Sequence, residues 1–204
     1  MSIFLIRHGE TLGNASRTVQ LPDNPLSPRG VAQVERLARR LQAEGIAAIL
    51  SSDLSRAVTT AEHLQRVTGA PISYDSVLQE RSFGDLRGTP YAELGFDMFA
   101  LDYAPPGGET WEVFYERVDR AWALVQETAA VAGGHLAVVT HGLVCRSLAA
   151  RHLLLSDGLE VQVRWENTAL TIIDHAAPWR VRLLNCVAHL DDPATRPISD
   201  SGPA

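Results

Sequence analysis

Three short runs of apolar residues set the frame of the chain: Ile3–Ile6, Ile46–Leu50 and Leu136–Val139. Each is continuous rather than alternating, the pattern of a strand covered on both faces. Between and after them the apolar period changes to that of a helix. Val31, Val34, Leu37 and Leu41 form one stripe, with Ser27 as cap, Pro28 at the first helical position and Gly45 past the end. Ala57, Ala61, Leu64 and Val67 form a second stripe closed by Gly69. A third helix is predicted from about Thr110 to Ala132, carrying Trp111, Phe114, Val118, Ala121, Val125 and Ala129, and a fourth over residues 143–154.

Strand, helix, strand, helix is the pattern of parallel βαβ units. The fold class expected is therefore α/β, a three-layer α/β/α sandwich around a mostly parallel central sheet. Further strands are predicted over residues 161–165, 169–174 and 180–185, the last two parted by a turn at Ala177-Pro178. Residues 71–108 are rich in Pro and Gly and read as a loop-rich excursion with short helical pieces. One domain is expected over residues 1–190, with a loop and helix lid at about 81–110. Residues 191–204, with three prolines and small polar side chains, read as a disordered tail.

Composition removes several chemistries. All 18 basic residues are Arg, so there is no Schiff-base or nucleophilic lysine and no P-loop of the GxxxxGK[ST] type. Any anion must be held by Arg, His or backbone N–H groups, and Arg favours forked, planar recognition of carboxylate or phosphate. A net charge of -6 argues against nucleic acid and anionic membranes as partners. Cys145 and Cys186 sit in apolar contexts, form no CxxC and read as thiols of a reducing compartment. The run Ile3–Ile6 ends at Arg7, too short for a signal peptide or membrane span, so a cytoplasmic location is expected.

Polar residues follow each apolar run. The first delivers Arg7 and His8, the second Ser51-Ser52-Asp53 and then Arg56, the third His141. In open α/β sheets ligands bind outside the carboxyl ends of the strands, so these residues should converge on one pocket. Two Arg, two His and hydroxyl groups suit a phosphate dianion, and helices starting behind Ser52 and His141 would add backbone donors. Neighbouring cations would keep a histidine there neutral, with a lone pair free to attack phosphorus.

The residues at these positions form motifs. Arg7-His8-Gly9-Glu10-Thr11 with Asn14, Leu26-Ser27-Pro28-Arg29-Gly30, and Ser51 to Ala57 with Thr60-Ala61 are three. Gln79-Glu80-Arg81-Ser82-Phe83-Gly84 and Thr140-His141-Gly142 are two more. In order and spacing they resemble the signatures of the histidine phosphatase superfamily, which includes the cofactor-dependent phosphoglycerate mutases. The resemblance implies a phosphoglycerate mutase-like fold and a metal-independent reaction with no cofactor. It implies His8 as nucleophile, Arg7, Arg56 and His141 around the transferring phosphoryl, and Glu80 as general acid and base. It also places Asn14, Gln20 and Gly142 among the substrate-binding groups. A salt bridge from Glu80 to Arg81 is the structural alternative for Glu80. His63, His152 and His175 are scattered and suggest no metal cluster. Asn185 to Leu190 resembles the family's Asn-x-x-x-His-Leu ending, with no role for His189 derivable from sequence.

Within that family the chain reads as a phosphomonoesterase acting on a small phosphorylated metabolite. A mutase must hold a second anion, and the segment 81–110 carries Asp85, Glu93, Asp97, Asp102 and Glu109 against only Arg81 and Arg87. Such a segment is expected to repel that anion. Mutase-type phosphoryl transfer and a non-catalytic phosphate-binding module are the alternatives. Gly13 and Leu21 stand where many relatives have Trp and Gly, so residues 13–24 are expected to be a more flexible entrance. A homodimer is left open.

Overall fold

The computed structural model describes residues 1–156, 158–161 and 164–191. The first apolar run is strand β1 (Ser2–Arg7), followed by a single helical turn, α1 (Leu12–Ala15), capped by Thr11. Helix α2 (Pro28–Leu41) starts as the sequence requires, with the Ser27 hydroxyl accepting from the Gly30 N–H. Gly30 is a steric necessity there: a Cβ would lie 1.9 Å from the Glu10 carbonyl oxygen, so the helix could not seat against the loop leaving β1. The helix ends at Leu41, short of Gly45, which takes φ 70° in the turn before β2 (Ile46–Ser51). Helix α3 (Ser55–Thr68) stops at Gly69 in the left-handed conformation.

Strand β3 (Ile72–Tyr74) was not legible in the sequence: it lies at the sheet edge with Ser73 and Tyr74 exposed, so it has no apolar run. Short 3₁₀ turns at Ser76–Leu78, Gly84–Leu86 and Tyr91–Glu93 punctuate the irregular segment. Then come α4 (Trp111–Val131), capped by Thr110, β4 (His135–Thr140) and α5 (Gly142–His152). The chain finishes with β5 (Leu154–Leu155), β6 (Leu170–Asp174), β7 (Arg180–Cys186) and a last turn, α6 (Ala188–Asp191). Of the strand expected over 161–165, Val161, Arg164 and Trp165 are irregular, and 162–163 lie outside the described residues. The tail expected beyond Asp191 also lies outside them.

The sheet has seven strands in the order β3-β2-β4-β1-β6-β7-β5. β3, β2, β4 and β1 run parallel, and β6 is antiparallel to both β1 and β7. The fold is therefore the three-layer, mostly parallel α/β/α sandwich expected. Alternation along β1 divides its side chains between two cores. Ile3 and Leu5 join Phe114, Val118, Val125 and Leu148 of α4 and α5, while Phe4 and Ile6 join Leu37, Leu41 and Leu64 of α2 and α3. Each such side chain contributes about 1.5–3 kcal/mol on burial. Covering on both faces is why β1 reads as a continuous apolar run.

The topology also fixes where a ligand can sit. From β1 the chain moves towards β2 through α2 on one face; from β4 it moves towards the opposite edge through α5 on the other face. The neighbours β1 and β4 thus diverge at their carboxyl ends, opening the crevice characteristic of a topological switch point.

Candidate active site

At that crevice β1 delivers Arg7 and His8, with Arg7 in register opposite Thr140 of β4 and the His8 N–H donating to the Thr140 carbonyl at 3.0 Å. His8 and His141 lie side by side, ring centroids 5.1 Å apart. The Nδ1 of His8 is 2.7 Å from the carbonyl oxygen of Gly9, which can only accept. Nδ1 therefore carries the proton and Nε2 keeps its lone pair. Burial holds this ring well below the ordinary histidine range, and the Arg56 and Arg7 guanidiniums push the same way.

The cations are supplied with spare donors. Arg7 donates to the Trp165 carbonyl and Arg56 to the Leu21 carbonyl, leaving the Nε–H of each buried and unpaired. His141 is bonded through Nε2 to the Ser52 hydroxyl at 2.9 Å, and its buried Nδ1 is also unpaired. Unsatisfied buried donors are costly unless a ligand meets them. Here two such N–H groups and the unpaired His141 Nδ1 gather around His8. Burial lowers Arg56 to about 10, partly offset by Glu80, so it stays charged at neutral pH.

Glu80 enters from the segment after Leu78. Its Oε1 accepts from the Arg81 N–H at 3.0 Å and its Oε2 from the Leu143 N–H at 3.2 Å, in the first turn of α5. Burial raises this carboxyl, against the pull of those two N–H groups, Arg56 and Arg7. The salt bridge considered for Arg81 is not made: the Arg81 guanidinium donates to the carbonyls of Tyr103 and Glu109 and stacks 4.1 Å from the Trp111 ring.

A second arginine holds the segment in place. Arg117 of α4 donates to the carbonyls of Val77, Gln79 and Glu80 while gripping Glu109 in a two-pronged pair. From the β4 side, the Thr140 hydroxyl donates to the Leu78 carbonyl at 2.7 Å.

Of the expected residues, Arg7, Arg56, Glu80, Asn14, Gln20 and Gly142 line a cavity of about 690 Å³, while His8 and His141 are almost wholly buried and are not among its lining residues. Asn14 Oδ1 is taken up by Thr11 and Asn167, so its amide nitrogen is the group free to meet an anion. Gln20 accepts from the Thr11 hydroxyl at 2.6 Å. Gly142 lies against Arg7: a Cβ there would be 3.4 Å from Arg7 Nε. Among the described residues, no three His, Cys, Asp or Glu side chains form a group able to hold a metal ion. No helix among them is long and apolar enough to cross a membrane.

Two expectations about the cavity walls are corrected. Residues 13–24 are not a loose entrance. Val19 and Thr89, Gly88 and Val19, and Tyr91 and Arg17 exchange backbone hydrogen bonds of 2.7–3.0 Å, fastening this segment to residues 88–91. Gly13 allows it, since a Cβ would lie 2.9 Å from Asn24 and 3.0 Å from Gln20. Nor is the wall acidic. Of the five acids of segment 81–110, Asp97 alone lines the cavity, while Glu109 is consumed by Arg117 and Ser82.

Sequence reasoning missed the loop behind the histidines. Thr168 donates its N–H to the carbonyls of Arg7 and His8, and Asn167 donates its amide to the His8 carbonyl at 3.1 Å. The polar break Glu166-Asn167-Thr168 ahead of an apolar strand was the available signal.

Comparison with known proteins agrees with this geometry. The model of the histidine phosphatase superfamily (branch 1) matches residues 3–187. "Probable phosphoglycerate mutase GpmB" of Salmonella paratyphi B is 32% identical over 210 residues, spanning 95% of this chain and 97% of that protein. The alpha-ribazole phosphatase from Shigella flexneri superposes with a TM-score of 0.78 at 26% identity, covering 92% of this chain and 97% of its own. A mycobacterial glucosyl-3-phosphoglycerate phosphatase solved with VO3 gives 0.72 at 27% identity, covering 85% and 90%.

Proposed function

The chain belongs to branch 1 of the histidine phosphatase superfamily, and on that premise we propose that it hydrolyses a small phosphomonoester through a phosphohistidine on His8. The observation that carries this reading is the His8 ring itself: neutral, its Nδ1 proton committed to Gly9, and set beside two buried guanidinium N–H groups that lack acceptors.

In the proposed reaction, Nε2 of His8 attacks phosphorus in line with the ester oxygen. The P–N bond forms as the P–O bond breaks, and the leaving alkoxide takes its proton from Glu80. Burial raises Glu80, which keeps a protonated fraction available for that step. Glu80 then removes a proton from water, the hydroxide attacks phosphorus, and the P–N electron pair returns to His8. Arg7, Arg56 and His141 meet the charge spread over the equatorial oxygens; in such sites positioning and electrostatics supply most of the acceleration.

Release of phosphate from p-nitrophenyl phosphate, unchanged by a chelator and abolished in His8→Ala, is the expected result. Acid-labile labelled phosphate should be trapped on His8. Normal turnover by His8→Ala would overturn the assignment.

One observation favours a second reading, phosphoryl transfer of the mutase type: the outer cavity wall is rich in arginine. Migration of phosphate between positions of 3-phosphoglycerate, without loss to solvent, would identify it.

A further inference from the structure

The tautomer of His8 is set by one acceptor, the carbonyl of Gly9. Which nitrogen of a histidine stays free is decided by the bond that the other makes. That carbonyl belongs to the peptide group between Gly9 and Glu10, and the opposite side of the group is held as well. The Glu10 N–H donates to Oε1 of Gln33 at 3.0 Å. Hydrogen bonds in series through one peptide group polarise each other, so the bond to Gln33 makes the Gly9 oxygen a better acceptor for the His8 ring.

Gln33 sits on α2 and is 8% exposed, at a buried position where an apolar side chain would need no partner. Two glycines bring the helix close enough for it to reach the loop after β1. A Cβ on Gly9 would lie 2.6 Å from the Val34 side chain and 2.8 Å from the Gly30 carbonyl oxygen, and a Cβ on Gly30 would collide with the Glu10 carbonyl. The rest of Glu10 is tied to the start of the same helix. Its carbonyl accepts from the Ser27 N–H at 2.8 Å, and its carboxylate from the Ser27 hydroxyl at 2.9 Å. The preceding peptide group is clamped in the same fashion. The Gly9 N–H donates to the Thr60 hydroxyl at 3.2 Å, and the His8 carbonyl accepts from Asn167 and Thr168. Both peptide planes that follow His8 are thus fixed at both ends, and Gln33 is not among the residues lining the cavity.

We infer that Gln33 is a positioning residue for the nucleophile: acting through the Gly9–Glu10 peptide group, it holds the His8 ring with the proton on Nδ1 and the lone pair on Nε2. It touches neither the phosphate nor the leaving group. The use made of that lone pair rests on the phosphatase reading; the hold on the ring does not.

The test replaces Gln33 by Met, which keeps the length without the acceptor, and by Glu, which keeps an acceptor oxygen in either protonation state. Proton–nitrogen spectra of the chain with 15N-labelled histidine report which nitrogen of His8 is protonated and how strongly its proton is bonded. In the native chain Nδ1 should carry the proton. In Q33M that proton's resonance should move upfield, as the bond to Gly9 weakens, and Q33E should recover much of the shift. kcat/KM for p-nitrophenyl phosphate should fall about tenfold in Q33M, as for one neutral hydrogen bond, and largely return in Q33E. Inhibition by inorganic phosphate, gripped by Arg7 and Arg56, should keep its constant throughout. If no ester is hydrolysed, the phosphatase reading fails by itself and the spectra still decide the inference. A native ring protonated on Nε2, an unmoved resonance in Q33M, or equal losses of kcat/KM in Q33M and Q33E would overturn it. Should Q33M not fold, Q33E against the native chain decides: an acceptor of different strength should move the Nδ1 proton resonance, and one that stays put overturns the inference.

Discussion

The Nε2 of His189 lies 3.0 Å from the hydroxyl oxygen of Thr168, at the back of the loop that supports His8. The direction of this bond is determined. Arg40 approaches Nδ1 at 3.3 Å and can only donate, so the proton sits on Nε2 and Thr168 accepts. The Thr168 hydroxyl in turn donates to the Asn167 carbonyl at 2.7 Å, and the Asn167 amide donates to the His8 carbonyl. His189 thus supports the loop behind His8 through Thr168 and Asn167. His189→Ala should lower both stability, by about 1–3 kcal/mol for the donors and acceptors left unpaired, and kcat. His189→Gln, whose amide can replace the Nε2 donor, should recover much of kcat. Equal kcat in the two variants would argue against positioning through Thr168.

Acid should weaken the fold in a defined window. His8 and His141 are held well below the ordinary histidine value and His189 is pulled down to about 3, burial being the main cause in each. Below about pH 6.5 the unfolded chain takes up protons that the folded histidines refuse, so stability falls with falling pH. Glu80 opposes this, since its raised carboxyl keeps a proton that the unfolded chain gives up. Four lowered histidines, His135 included, against one carboxyl leave the histidines dominant between about pH 6.5 and 4.5. Urea midpoints at pH 7 and 5 should show the loss. His189→Gln should make the slope shallower by about 1.4 kcal/mol per pH unit, one proton's worth.

Glu80→Gln should separate the two half-reactions. With p-nitrophenolate, a leaving group that needs little protonation, His8 should still be phosphorylated, giving a burst of about one equivalent. Hydrolysis of the phosphoenzyme, which needs the base, should slow by about 10²–10⁴. With an alkyl ester the first step should fail as well. In the native enzyme, loss of the Glu80 proton should make kcat/KM for alkyl esters fall on the alkaline side. Identical deficits for aryl and alkyl esters would count against Glu80 as the acid.

Arg117→Met should cost about 3 kcal/mol, because it strands Glu109 and releases three carbonyls around Glu80. Adding Glu109→Gln should restore part of the thermal midpoint, since the uncompensated carboxylate is gone. The expected loss of kcat should persist in the double variant, because the carbonyls of Val77, Gln79 and Glu80 remain unheld.

What the sequence made legible is what depends on neighbours. β1 and β4 carry their burial in continuous apolar runs, so the strand ends bearing His8 and His141 could be located within a residue. Ser27, Pro28 and Thr110 announced their helices for the same reason. What escaped depends on distant partners. Asn167 meets the His8 carbonyl across 159 positions, and Arg40 meets His189 across 149. β3 is stabilised by pairing with β2 rather than by its own side chains. The charge of the cavity was misjudged because composition counted the acids of segment 81–110 without knowing which of them faced inward.

The backbone bonds joining residues 17–19 to residues 88–91 have a consequence for any change in the cavity wall. His8 and His141 follow β1 and β4, whereas Arg17, Val19, Arg87 and Tyr91 line the cavity from two surface segments fastened to each other. Altering one of those segments alone breaks a shared seam; replacing both together leaves the seam whole and the sheet untouched. That part of the cavity wall therefore keeps its backbone pairing only as a matched pair of segments, while the strands that lead to His8 and His141 stay as they are.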